Sequence, residues 1–154
     1  MENSHKIMKV AAGYGLILGL IMIVSQLISF LVPLLSPGIY IAGIIYTTIH
    51  YREKYSGGTI TYGRSLLFGI LVSGFAFIIL GMFFYIMFSL YPAEYMELFN
   101  AVMEKMKTKG LATPSETSMD SLRNPVIWIV TYLFLGLFAG LAVSAIVSIF
   151  TKKN

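Results

Sequence analysis

The chain has 154 residues, of which 57% are hydrophobic and only 12% are charged, and its mean hydropathy is +0.81. In soluble domains about a quarter of all residues are charged. This composition therefore excludes a soluble globular protein and predicts an integral membrane protein. The formal net charge of +4 comes from basic residues placed singly at segment ends, which argues against nucleic acid as a partner, and the absence of cysteine excludes disulfides and thiol chemistry.

The first two apolar stretches predict a pair of membrane helices. The first covers residues 10–32, which is more than the roughly 20 residues needed to cross a bilayer. It ends at a Pro-Leu-Leu-Ser-Pro-Gly sequence, residues 33–38, that predicts a tight turn in preference to the broken helix of a transporter. The second stretch covers residues 38–51 and is short, so Arg52 and Lys54 must reach outward to the headgroups for it to cross.

Two further apolar stretches, residues 65–90 and 125–150, are each long enough to cross with tilt. None of the four stretches contains Asp, Glu, Lys or Arg, and such residues inside a membrane usually mark proton relays, ion coupling or catalysis. The sequence therefore predicts an all-α membrane protein with a bundle of four transmembrane helices, formed as a single integral membrane domain over residues 1–154.

The segment between the third and fourth stretches predicts an amphipathic helix over residues 92–109, in the outer loop. Its apolar residues recur at helical spacing and form a candidate partner surface, the apolar face of this segment, which consists of Tyr95, Leu98, Phe99, Val102 and Met106. The helix either lies in the outer headgroup region and covers the bundle or docks a membrane or periplasmic protein.

Basic residues indicate the orientation of the chain in the membrane. Seven of them fall on one side of the four stretches, namely Lys6, Lys9, Arg52, Lys54, Arg64, Lys152 and Lys153. The other side carries four basic residues against five acidic ones. By the positive-inside rule both termini are cytoplasmic. Three of the inner basic residues, Arg52, Lys54 and Arg64, are predicted to contact lipid headgroups.

Small residues at four-residue spacing predict the faces on which the helices pack, because they let helix backbones approach closely. The predicted packing residues are Gly15 and Gly19 in the first stretch, Gly38 and Ala42 in the second, Gly69 and Ser73 in the third, and Gly136, Gly140 and Ser144 in the fourth. The spacing leaves open whether they pack helices of one chain or of two copies in a homo-oligomer.

The sequence carries no pattern of a catalytic or metal site. It has no G-x-S-x-G nucleophile motif, a single aspartate, and two histidines, His5 and His50, at the edges of the apolar stretches. Metal sites need clustered ligands, which these residues do not supply. The sequence therefore predicts no catalytic residue, no cofactor and no metal, in a protein that is not an enzyme.

Two segments carry a resemblance to a known family. They are Gly58-Thr59-Ile60-Thr61-Tyr62-Gly63-Arg64-Ser65, which opens the third stretch, and the outer segment from Tyr91-Pro92-Ala93-Glu94-Tyr95 to Lys109-Gly110. Together with the order of the stretches, they resemble the family known as domain of unknown function 4199 over roughly residues 9–153. The resemblance implies a small four-helix protein of the bacterial inner membrane, found in Bacteroidota, and it implies no functional residue.

Two functions are consistent with the sequence. We favour a non-enzymatic scaffold or accessory subunit of a membrane complex, because the helices carry small-residue faces and no charge. The alternative is a small transporter or channel component for a neutral solute, which would be contacted by Ser25, Gln26, Ser29, Thr47 and Thr48. Membrane lipid is the expected partner in both cases.

Overall fold

The computed structural model describes residues 2–28, 35–110 and 124–151. Within these ranges every regular element is a helix: α1 covers Glu2–Ile28, α2 Leu35–Tyr55, α3 Tyr62–Leu90, α4 Pro92–Thr108 and α5 Pro125–Thr151. The predicted all-α class is therefore confirmed for the described part of the chain.

Three helices of the described part are long and apolar enough to cross a membrane: His5–Gln26 in α1, Tyr62–Leu90 as the whole of α3, and Ile129–Phe150 in α5. They correspond to the first, third and fourth predicted stretches. Helix α2 is not among them, because threonines, a histidine and charged residues interrupt its apolar sequence. The crossing of α2 therefore stays a prediction.

Helix α1 begins earlier than the predicted stretch 10–32. It starts at Glu2, and the side chain of Ile7 is already buried. The absence of charge marks residues that suit the hydrocarbon core, whereas backbone hydrogen bonding continues through the exposed Lys6 and Lys9. The predicted end of this stretch lies outside the described residues.

Helix α2 also begins earlier than predicted, at Leu35, so Pro37 and Gly38 lie in its first turn. The prediction that the connecting turn extends to residue 38 is wrong. Proline is compatible with the first turn of a helix because an N–H group there has no acceptor within the helix. The beginning of the predicted turn, at Pro33, lies outside the described residues.

A sharp boundary separates α3 from α4. Helix α3 ends at Leu90, and Tyr91 stands between the two helices with φ −128° and ψ 58°. The residue before a proline disfavours the helical conformation, whereas Pro92 suits the start of a helix. At the other end of α4, Lys109 is followed by Gly110 with φ +66°, a left-handed conformation that glycine adopts without steric cost.

The chain divides into two compact units. Unit 1 comprises Met1–Leu80 and Tyr132–Asn154, and it contains α1, α2, most of α3 and most of α5. Unit 2 comprises Gly81–Thr131, and it contains α4, the end of α3 and the start of α5. In unit 2, Phe88 is buried. The buried serines and threonines of the described residues all lie in unit 1.

Helices α1 and α2 form an antiparallel pair in unit 1. Near one end of the pair, the hydroxyl oxygens of Ser25 and Ser36 lie 2.9 Å apart. Near the other end, the ring of Tyr14 meets that of His50 edge-on, with 5.9 Å between the centroids. The two helices therefore lie side by side along most of their length.

Candidate functional site

The interior of unit 1 contains a close contact between α3 and α5, which we name the α3–α5 seam. Each four-residue step along α3 is matched by a four-residue step backwards along α5, so the two helices run antiparallel in a fixed register. The facing residues are Ser65 with Ser148, Gly69 with Ser144, Ser73 with Gly140, and Phe77 with Gly136.

Glycine residues allow the backbones of α3 and α5 to approach closely at this seam. A Cβ atom placed on Gly140 would lie 2.6 Å from the Cβ of Ser73, and one placed on Gly69 would lie 2.7 Å from the Cβ of Ser144. Gly136 faces its partner in the same way. These distances are too short for two carbon atoms, so three levels of the seam accommodate one side chain each. In lipid, where the hydrophobic effect does not hold helices together, such packing is a main source of their association.

Helix α1 contacts α3 through Gly15 and Gly19. A Cβ atom on Gly15 would lie 2.7 Å from the carbonyl oxygen of Val72, and one on Gly19 would lie 2.8 Å from that of Ala76. The residue numbers rise together, so α1 runs parallel to α3. Because α5 runs antiparallel to α3, the start of α1 and the end of α5 lie at the same end of unit 1.

Most of the predicted packing residues lie in contacts between helices of the same chain, namely Gly15, Gly19, Gly69, Ser73, Gly136, Gly140 and Ser144. The pair predicted in α2 does not. Gly38 and Ala42 are exposed, and a Cβ atom on Gly38 would meet no described atom within 4 Å. Gly43 contacts α1 instead, since a Cβ atom there would collide with the side chain of Leu18. Gly38 and Ala42 therefore pack against no described helix of unit 1, and their use between copies of the chain stays a prediction.

Among the described residues of unit 1, hydroxyl groups connect three pairs of helices. The bonded oxygen pairs are Ser25 with Ser36 between α1 and α2 at 2.9 Å, Tyr40 with Ser73 between α2 and α3 at 2.8 Å, and Ser148 with Ser65 between α5 and α3 at 2.9 Å. All six residues are buried. Polar side chains that bond across helices contribute about 0.6 kcal/mol per pair in membrane proteins. The polar interior of unit 1 therefore stabilises its helix contacts.

The other buried hydroxyls in the described part of unit 1 do not join helices. Thr47 Oγ1 donates to the carbonyl oxygen of Gly43 in its own helix at 2.8 Å. The hydroxyls of Thr48 and Ser144 are buried and have no hydrogen-bond partner in the described part of the chain. An unpartnered buried hydroxyl is unusual in folded proteins. Thr47 and Thr48, which were predicted as solute contacts, thus lie inside the unit.

A cleft of about 400 Å³ opens where the end of α1, the start of α2, the middle of α3 and α5 meet. We name it the Gln26 cleft. The described residues that line it are uncharged, namely Met22, Gln26, Ser36, Pro37, Tyr40, Phe77, Leu80 and Tyr132. Its volume falls in the range of small-molecule sites, roughly 300–1,000 Å³. Gln26, a predicted solute contact, lines the cleft, and Ser29, another one, lies outside the described residues.

Two aromatic residues that were not among the predicted solute contacts shape this cleft. The ring of Tyr40 meets that of Phe77 edge-on at 5.4 Å, an arrangement that aromatic pairs favour. Tyr40 is only 6% exposed, and its hydroxyl bonds Ser73 of the seam. A lone tyrosine near the end of an apolar stretch is also typical of the aromatic belt at a membrane surface, so the sequence offered no distinct signal for this role.

The three predicted headgroup residues have different environments. Lys54 and Arg64 are exposed, whereas the Arg52 side chain is 19% exposed and its Nη2 lies 3.3 Å from Oε1 of Glu53. The carbonyl oxygen of Arg52 also accepts a hydrogen bond from the backbone N–H of Gly58 at 3.0 Å. Arg52 therefore belongs to the connection between α2 and α3, while Lys54 and Arg64 are accessible. Their contact with lipid stays a prediction.

The candidate partner surface falls on α4. The backbone is helical from Pro92 to Thr108, and helical spacing puts residues 95, 98, 99, 102 and 106 on one face. Their side chains lie outside the described part of the structure, so this surface stays a prediction. Among the residues that the structure describes, no three His, Cys, Asp or Glu side chains are grouped as a metal site requires.

The helices define the class of protein. Three apolar helices of membrane-spanning length, in a chain whose described elements are all helices, are consistent with a multi-pass membrane protein. The chain belongs to the family described as Protein of unknown function (DUF4199), whose family model matches residues 13–153. The resemblance drawn from the sequence is thereby confirmed. Searches of the curated proteins and of the solved structures give no match.

Proposed function

We propose that the chain is a non-enzymatic protein of the bacterial inner membrane with four spans, which serves as a scaffold or accessory subunit of a membrane complex. The proposal rests on one observation, that the interior of unit 1 is filled by contacts between its own helices. Its glycines and serines are packed between helices of the same chain, and no acidic or basic side chain is buried among the described residues. Proton transfer and ion coupling inside a membrane generally use charged side chains.

Helix α2 is proposed as the second span. Its 21 residues give a length of about 31 Å, which matches a hydrocarbon core of about 30 Å. It contacts α3 at two points along this length: Tyr40 bonds Ser73, and the ring of Tyr51 stacks on that of Phe68 at 4.2 Å. Arg52 and Lys54 lie in its last turn, where basic side chains suit both the helix dipole and the lipid headgroups.

Both termini are proposed to be cytoplasmic and α4 to lie on the outer side. The basic residues near the termini and between α2 and α3 outnumber those between α3 and α5. The common end of unit 1 at which α1 starts and α5 ends supports this arrangement. An even number of spans also requires both termini to be on one side.

A single-cysteine variant tests this topology, because the chain has no cysteine of its own. In intact cells, Met103→Cys in α4 should react with a thiol reagent that does not cross the inner membrane. Thr59→Cys, at an exposed site between α2 and α3, is the matched control and should react only after the membrane is opened. The reverse pattern of labelling would show that the proposed orientation is wrong.

The surface proposed to receive a protein partner is the apolar face of α4. A photoreactive amino acid at Phe99 places the probe on this face, and the same probe at Asn100 places it on the exposed opposite face, one residue away. Crosslinking in native membranes, followed by mass spectrometry, should yield one recurrent membrane or periplasmic partner from position 99 and little or none from position 100. Equal yields from both positions, or lipid adducts alone, would contradict a docking role for α4.

A small transporter or channel component for a neutral solute is the second candidate, and the Gln26 cleft is the observation that favours it. The cleft is lined by uncharged polar and aromatic groups, which suit a neutral molecule. Vesicles that contain only the purified chain provide the test. Flux of neutral polyols or sugars in such vesicles, abolished by Gln26→Leu, would support transport and overturn the scaffold proposal.

A further inference from the structure

The Gln26 cleft is lined by residues of α2 and of the three helices that are long and apolar enough to cross a membrane. Met22 and Gln26 belong to the last turns of the segment His5–Gln26, and Phe77 lies midway along the 29-residue α3. With α1 and α3 across the bilayer, which the proposed function assumes, the cleft extends from the end of the α1 span towards the middle of α3, where lipid headgroups give way to acyl chains. A molecule that reaches it from the bilayer therefore needs an apolar part.

The hydrogen bonds around Tyr40 decide what its hydroxyl can offer a ligand. Ser73 Oγ donates its single proton to the carbonyl oxygen of Gly69 at 2.8 Å. The 2.8 Å bond between Tyr40 and Ser73 must then be donated by Tyr40. The proton of the Tyr40 hydroxyl is therefore already used, and its oxygen remains able to accept a hydrogen bond.

Gln26 complements this acceptor. Its side-chain amide provides two N–H donors and a carbonyl acceptor. No hydrogen bond joins this amide to another described residue. None of the described residues that line the cleft is charged, so none of them offsets the desolvation of an ionised headgroup. The matching ligand is uncharged, has an O–H donor for Tyr40 and has a carbonyl acceptor for the amide N–H groups of Gln26.

We propose that the Gln26 cleft binds an uncharged acyl lipid with a free hydroxyl, of the monoacylglycerol or diacylglycerol class. The lipid hydroxyl donates to the oxygen of Tyr40, and its ester carbonyl accepts from the amide of Gln26. The acyl chain lies against the apolar wall formed by Met22, Phe77 and Leu80. A quinone has carbonyl acceptors but no hydroxyl, so it cannot use the Tyr40 oxygen.

The test uses the full chain reconstituted in phosphatidylcholine nanodiscs. A monoacylglycerol with a diazirine in its acyl chain is the probe, and intact-mass spectrometry measures the covalent adduct formed on illumination. Unlabelled 1-oleoylglycerol should displace the probe at a concentration at least about tenfold lower than methyl oleate, which lacks a hydroxyl, or decylubiquinone, which offers only acceptors. The adduct should map to peptides that contain Met22 or Leu80.

Two variants complete the test. Gln26→Leu, which keeps the approximate size of the side chain, should reduce the adduct about tenfold or more. Thr47→Val is the matched control, since the Thr47 hydroxyl bonds its own helix, and it should label like the unchanged chain. The ligand series on the unchanged chain decides the question even where a variant fails to fold.

Equal displacement by oleoylglycerol and methyl oleate, tighter displacement by the quinone, or adducts spread over the outer faces of α1 and α5 would each overturn the proposal. Failure here leaves a partner crosslinked to α4 unaffected. A lack of such a partner likewise leaves lipid binding in the cleft unaffected, so the failures of the two proposals are distinguishable.

Discussion

The α3–α5 seam and the Gln26 cleft use the same helices at successive levels. In the seam, α5 presents Ser148, Ser144, Gly140 and Gly136 at four-residue intervals, and the backbones approach closely. One further interval along α5 is Tyr132, which lines the cleft. Phe77 belongs to both regions, since it faces Gly136 and forms part of the cleft wall. The contact between α3 and α5 is therefore close where α5 carries serine or glycine, and it opens into the cleft where α5 carries Tyr132.

The two regions also treat polar groups differently. In the seam, the hydroxyls of Ser65 and Ser148 bond each other, and Ser73 bonds both its own helix and Tyr40. In the cleft, the amide of Gln26 bonds no other described residue. The hydroxyls of Ser65, Ser73 and Ser148 thus join helices at the seam, whereas the amide of Gln26 in the cleft is available to a ligand.

The largest effect is expected where a side chain is added to the seam. Gly69→Ala would place a methyl group 2.7 Å from the Cβ of Ser144 and force α3 and α5 apart. We expect a loss of about 1–3 kcal/mol, the usual cost of overpacking a core. The measurement is equilibrium unfolding by SDS in mixed micelles.

Gly74→Ala is the matched control for this change. A Cβ atom there would lie 3.7 Å from Cδ2 of Leu137, which is ordinary van der Waals contact. Alanine also favours the helix over glycine by up to about 1 kcal/mol. We expect no loss at position 74, and equal losses at positions 69 and 74 would show that the seam is not closely packed.

A smaller effect is expected for Tyr40→Phe, which removes the hydrogen bond that links the cleft wall to the seam. The ring stays against Phe77, and Ser73 keeps its bond to the carbonyl oxygen of Gly69. We expect a loss of about 1 kcal/mol in the free energy of unfolding. Tyr46→Phe, at a position 64% exposed in the same helix, is the control and should change little. A larger loss at Tyr46 than at Tyr40 would contradict the assigned bond.

The sequence predicted the small-residue faces better than their partners. Four-residue spacing identifies a groove on one helix, but the opposing residue and the register depend on how two surfaces fit. The same spacing in Gly38 and Ala42 falls on an exposed face. Phe77 was missed because a large residue does not belong to a small-residue pattern, although it faces Gly136.

Hydropathy predicted four spans; three of them are helices of membrane-spanning length and composition in the described part of the chain, and the crossing of α2 stays a prediction. Its polar residues lower the apolar signal that identifies a span. In the structure, several of them are buried against neighbouring helices, as Ser36 and Thr48 are. Hydropathy averages a helix over all its faces, whereas burial depends on the face that a neighbouring helix covers. The cleft was not predictable for the same reason, because it is formed by residues from four helices.

A still smaller effect is expected for the hydroxyl pair at one end of the seam. Ser65→Ala and Ser148→Ala, measured singly and together, form a double-mutant cycle across the 2.9 Å bond. We expect a coupling free energy of about 0.6 kcal/mol, the average for such bonds in membrane proteins. Ser89→Ala is the control, because its hydroxyl bonds a carbonyl of its own helix and joins no second helix. A coupling free energy of zero would show that this hydrogen bond does not stabilise the seam.

The smallest effect on stability is expected in the cleft, for Gln26→Leu. Since the amide bonds no other described residue, its removal should change the free energy of unfolding by less than about 0.5 kcal/mol, as surface substitutions usually do. The two variants should then differ in stability, because the Tyr40 hydroxyl supports the fold and the Gln26 amide does not. A loss of 1 kcal/mol or more for Gln26→Leu in lipid-free micelles would mean that the amide stabilises the fold itself. The same variant in nanodiscs that contain monoacylglycerol should lose the stabilisation that this lipid gives the unchanged chain, because a ligand stabilises the folded state only in proportion to its binding.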